Sequence, residues 1–103
     1  MATRKILYSP GFGAGWSTWQ SGIPQEFACT YQPIIDALER GEKLTVTHPA
    51  IMQYEADCKE KFGREYVCVI GCDDLEVATV DGPVRIEEYD GSESIVQNYQ
   101  DWF

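Results

Sequence analysis

Histidine is nearly absent from this 103-residue chain: His48 is the single one, so any Cys–His or Ser–His pair must use it. It precedes Pro49 at an expected helix start, where capping or loop packing accounts for it, and no serine sits in a nucleophile elbow. An enzyme is therefore not expected, and a hydrolase built on His48 or the cysteines is the least favoured reading. Basic side chains are also scarce, 8 Lys and Arg against 17 Asp and Glu, for a formal net charge of −9. Wrapping a nucleic-acid backbone asks for clustered Lys and Arg, so no direct DNA binding is expected. No apolar run approaches the roughly 18 residues of a membrane span, and Arg4-Lys5 leads into a strand-like segment rather than a signal peptide. No membrane association is expected. Of the 4 cysteines, Cys68 and Cys72 form one close pair, whereas zinc usually takes two. Reduced core or loop thiols are expected, with no metal and no cofactor. A zinc site using Cys58, Cys68, Cys72 and His48, or a disulfide, is the lesser alternative.

What the chain does have is apolar and aromatic substance. Hydrophobic residues make up 44% and aromatics 13%, too much for a disordered chain. The length fits one domain with one modest core, so residues 1–103 are expected to form a single α+β domain. Charge is unevenly placed. Residues 1–72 hold 8 acidic and 7 basic side chains, while residues 73–103 hold 9 acidic side chains and Arg85 alone. The second segment thus carries nearly all the negative field, which repels phosphates and attracts basic surfaces, or simply aids solubility.

Arg4 to Ser9 has strand character and stops at Pro10. Residues 23–30 are ambiguous, with Pro24 able to start a short helix containing Glu26 and Phe27. Residues 31–40 read as helix, because Tyr31, Ile34, Ile35 and Leu38 recur at helical spacing, Pro33 suits the first turn and Gly41 the stop. A second helix is expected over residues 49–62, capped by Thr47 or His48 and ended by Gly63. Residues 66–70 form an apolar run suited to a buried strand. Alternating strands follow over 75–80, 84–89 and 93–97. Asp81-Gly82 and Asp90-Gly91 signal hairpin turns, although Pro83 removes a ladder donor after the first. The expected architecture is an N-terminal strand, a glycine-rich loop, two main helices and a C-terminal antiparallel meander.

The glycine-rich loop is the most informative motif. Gly11, Phe12, Gly13, Ala14 and Gly15 follow a strand and bring free backbone N–H groups around a tight turn. Such a turn can cradle an anion. Trp16 and Trp19 can stack on a base, while Ser17, Thr18, Arg4, Lys5 and Arg85 can complete a polar, charge-neutralising rim. The spacing matches neither the dinucleotide fingerprint nor the Walker pattern. A purely structural, aromatic-capped turn is the competing reading. The sequence favours Trp19 as the core tryptophan and Trp16 as the stacking one. Glu87 and Glu88 would point to opposite faces of a strand, and an inward carboxylate would need a partner such as Arg4, Lys5 or Arg85.

Five stretches resemble a family of small uncharacterised tailed-bacteriophage proteins. They are Lys5 to Trp19, with its Pro-Gly-Phe-Gly-Ala-Gly-Trp-Ser-Thr-Trp loop, Pro33 to Glu39, Cys58 to Gly63, Tyr66 to Val69, and Arg85 to Ser94. The resemblance spans most of the chain. It implies a phage accessory protein acting in the cytoplasm of an infected bacterium, a setting in which countering host defence is a common task. It assigns no site residues. Joined to the loop chemistry, it leads to the expectation of a homo-oligomeric protein that sequesters a phosphorylated small molecule or nucleotide signal without turnover. The alternative is an acidic inhibitor that presents Glu76, Asp81, Glu87, Asp90 and Glu93 to a basic host protein.

Overall fold

Strand β1 (Thr3–Tyr8) separates two cores, because strand alternation sends Ile6 and Leu7 to opposite faces and both are fully buried. The computed structural model describes residues 3–11, 15–20, 22–89 and 92–97. Leu7 joins a helical core with Trp16, Ile34, Ile35, Ile51, Tyr54 and Val67. Ile6 joins a smaller core with Cys29, Val80, Val84 and Ile86. Each such aliphatic side chain contributes about 1.5–3 kcal/mol when removed from water.

The fold is mixed α+β. Three helices, α1 (Gln25–Cys29), α2 (Gln32–Glu39) and α3 (Pro49–Phe62), come between β1 and three later strands. Helix α3 has the bounds expected of it. The His48 Nδ1 accepts the Ala50 N–H at 3.0 Å, Pro49 takes the first turn, and Gly63 closes the helix at φ 64° in the left-handed region. Helix α2 buries Ile34, Ile35 and Ala37, and α1 is the short helix that Pro24 starts. Tyr54 on α3 anchors an aromatic cluster, with ring centroids 5.0 Å from Trp16, 5.0 Å from Tyr31 and 5.8 Å from Phe27.

The strands are paired differently from the expected meander. Strand β2 (Glu76–Asp81) lies antiparallel to β1, with Leu7 opposite Val77 and Ile6 opposite Ala78. Strand β3 (Val84–Tyr89) pairs with β4 (Ser92–Gln97) as a separate ladder, with Ile86 opposite Ile95 and Glu88 opposite Glu93. The break falls at Gly82-Pro83. Gly82 takes φ 94°, Pro83 has no N–H to give, and the Arg4 guanidinium holds the Gly82 carbonyl at 3.1 Å. The chain therefore turns a corner after β2 and lays β3–β4 over the Ile6 face of β1–β2.

Residues 66–70 are not a strand. Val67 and Val69 are buried while Tyr66 and Ile70 are exposed, as strand alternation would have it, but no neighbouring strand among the described residues takes up this backbone. The segment passes instead into a 3₁₀ turn (Ile70–Asp74). The Asp90-Gly91 turn lies outside the described residues.

Candidate ligand-binding cleft

The glycine-rich loop does have an anion at its backbone, and that anion is Glu93 of β4. Its carboxylate accepts the Ser9 N–H at 2.9 Å through Oε1. Its Oε2 accepts the Trp16 N–H at 2.6 Å, the Thr18 N–H at 3.0 Å and the Thr18 hydroxyl at 2.6 Å. The Glu93 N–H in turn donates to the Ser9 carbonyl at 2.8 Å. Glu93 is 2% exposed. Burying a carboxylate is tolerated only when its lone pairs are satisfied, and charge-assisted bonds to backbone N–H groups do that here, with no cation paired to it among the described residues. Gly15 lets this happen: a Cβ there would stand 2.7 Å from Thr18 Oγ1 and 3.0 Å from Glu93 Oε2. At Gly11 a Cβ would meet the Asp74 carboxylate at 2.5 Å. Phe12, Gly13 and Ala14 lie outside the described residues.

The tryptophans exchange their expected places. Trp16 is the core residue, fully buried, with its indole N–H donated to the Ala28 carbonyl at 2.8 Å. The residue after the glycines is drawn inward because its own N–H must reach Glu93. Trp19 is 42% exposed and directs its indole N–H towards Glu88 at 3.4 Å. Ser17 is buried and Thr18 is half-buried. Burial, reinforced by the Glu93 charge, pushes the nearby Cys29 thiol up to about 12.

The cations expected around the loop are engaged elsewhere. Lys5 pairs with Glu39 of α2, Arg85 with Glu87, and Arg4 with the Gly82 carbonyl. Lys5 and Arg4 are neighbours on a strand, so they leave it on opposite sides and cannot converge on one phosphate.

A different cation stands beside Trp19. A cleft of about 560 Å³ runs between Trp19, Gln20 and Ile23 on one side and residues 63–68 on the other, with Arg64, Glu65, Tyr66 and Cys68 among its lining. Arg64 has no carboxylate partner among the described residues, in contrast to Lys5, Arg40, Lys59 and Arg85. Its guanidinium lies across Gly22, where a Cβ would come within 2.7 Å of Nη1, and Gly22 has φ 78°. Gly22 therefore serves both the left-handed turn and the passage of Arg64. Tyr66 is 69% exposed. Sequence reasoning found Trp19 but missed Arg64, Tyr66 and Gln20. The signal present for Arg64 was its place directly after the Gly63 helix stop, and none marked Gln20 or Tyr66.

All four cysteines are free, Cys68 being the half-buried one, and no group of His, Cys, Asp or Glu gathers as metal ligands among the described residues. No helix is long and apolar enough to cross a membrane, among the described residues. Of the acidic row, Glu76, Asp81 and Glu87 are exposed, Glu93 is committed inward, and Asp90 lies outside the described residues. The chain matches no protein-family model, no curated protein and no solved structure.

Proposed function

We propose that this chain is a bacteriophage accessory protein of the anti-defence kind, which captures a phosphorylated small molecule or nucleotide signal and holds it without turnover. The site is the Trp19–Arg64 cleft rather than the glycine loop. One observation carries the reading: Arg64, free of any carboxylate among the described residues, borders a 560 Å³ cleft beside a half-exposed indole. Small-ligand sites are commonly about 300–1,000 Å³ with a few placed polar groups. A base stacks on Trp19 or Tyr66, at roughly 1–3 kcal/mol per stacked base, and Arg64 meets the phosphate. The phage setting comes from the sequence resemblance.

The net charge of −9 and Glu65 at the cleft oppose an anionic ligand at long range. Affinity must therefore come from short-range stacking and from Arg64. Calorimetry against cyclic and linear nucleotides and ADP-ribose derivatives tests this. A saturable heat that Arg64→Ala and Trp19→Ala each weaken about tenfold or more supports it. Flat heats throughout, with the protein folded, remove it.

A second reading keeps one specific observation in its favour. Tyr89 is 83% exposed and shares a face of β3 with the exposed Glu87, an aromatic and acidic surface suited to a basic protein. Capture from host lysate that survives Glu76→Lys with Glu87→Lys would count against it.

A further inference from the structure

Gln20 is 7% exposed and lines the cleft. Its Oε1 is taken by the Tyr54 hydroxyl of α3, which itself is fully buried. Its Nε2 is buried and has no hydrogen-bond partner among the described residues. A buried donor left unpaired costs roughly tenfold to a hundredfold in an equilibrium constant, so such groups are seldom left idle. The open space bordering this residue is the cleft.

We propose that Gln20 selects the ligand, by offering its spare N–H to a ring carbonyl of a phosphorylated 6-oxopurine. This rests on the cleft being the ligand site. With the Tyr54 hydroxyl donating to Oε1, the remaining end of the carboxamide is a donor and calls for an acceptor. A carbonyl oxygen on a flat ring supplies that acceptor in the plane of the base while Trp19 and Tyr66 address its faces. The two aromatic side chains suit the larger face of a purine over a pyrimidine, and Arg64 addresses the phosphate. Recognition by a hydrogen-bonding group discriminates sharply, because only a ligand that carries the acceptor relieves the unpaired donor.

Calorimetry with inosine 5′-monophosphate and with purine riboside 5′-monophosphate, which lacks the ring carbonyl, tests it. The expected result is at least tenfold tighter binding of the inosine nucleotide. Tyr54→Phe keeps the ring packing but frees the carboxamide to turn, and should shrink that preference while both nucleotides still bind. Gln20→Glu, which retains an acceptor for Tyr54 and loses the donor, should abolish it. Equal affinity of the two nucleotides for the unmodified protein, or a preference that both variants keep, overturns the role of Gln20 and leaves ligand capture standing. No binding of either nucleotide, or of any in the wider panel, overturns both.

Discussion

The Trp16 backbone N–H donates to Oε2 of Glu93 at 2.6 Å, tying the residue that follows the glycines to the start of β4. Together with the bonds from Ser9 and Thr18, this contact fills the loop's anion seat with a side chain of the same chain. It also decides the fates of the two tryptophans. Trp16 is drawn into the core, and Trp19, three residues on, is left at the cleft.

Glu93→Gln should destabilise the fold by about 2–4 kcal/mol, since its NH₂ group faces donors where the carboxylate accepted them. Urea denaturation measures this as a fall in midpoint. Glu93→Lys should be worse, by placing a cation against N–H donors. An unchanged midpoint for Glu93→Gln would mean that the seat does not hold the hairpin.

Trp16→Ala should cost about 3–5 kcal/mol, as large aromatic truncations in a core do. Trp19→Ala should leave the melting temperature within a few degrees and weaken nucleotide binding. Thermal melts of the two variants separate these outcomes. Equal destabilisation would place Trp19 in the core as well.

What could be read from the sequence was local. Helix α3 was legible because Pro49 and Gly63 punctuate a stripe of Ile51, Tyr54 and Cys58, and β3 because Val84 and Ile86 alternate with polar residues. The pairing of β2 with β1 was not, since it depends on which distant strand claims an edge. The loop was noticed, but Glu93 was expected in an outward acidic row. An inward carboxylate was sought at Glu87 or Glu88 with a cation as its partner, whereas both of these are exposed. Backbone N–H groups 75 to 84 positions away in sequence satisfy Glu93 instead, and no local pattern announces that.

Hydrogen bonds from Arg40 and then His48 hold the Glu42 carboxyl down at about 2, well below its ordinary 4.5. A depressed carboxylate contributes stability that is present above its unfolded value and is lost as the pH falls towards its folded one. Stability should therefore decline between about pH 4.5 and 2, and Glu42→Gln should flatten that part of the profile. The site is partly exposed, so salt should reduce the difference. A profile identical in the variant would contradict the assignment.

Burial pushes the Cys29 thiol up to about 12 and the Cys72 thiol up to about 11, and both side chains are buried. A thiol reagent at pH 8 should label the half-buried Cys68 first, because the other three cysteines are buried and access governs the rate. Inosine 5′-monophosphate should slow that labelling, since Cys68 lines the cleft. Labelling of Cys68 that saturating nucleotide leaves unchanged would place the ligand elsewhere.

The most direct test is a titration of ¹⁵N-labelled protein with inosine 5′-monophosphate, followed by chemical-shift mapping. The account expects saturable shifts at the Trp19 indole N–H, the Gln20 side-chain amide and the backbone of Arg64, Tyr66 and Cys68. The amides of Ser9, Trp16 and Thr18 should stay in place, because Glu93 keeps them. Shifts confined to those three amides, with Trp19 and Arg64 silent, would return the ligand to the glycine loop and contradict the account.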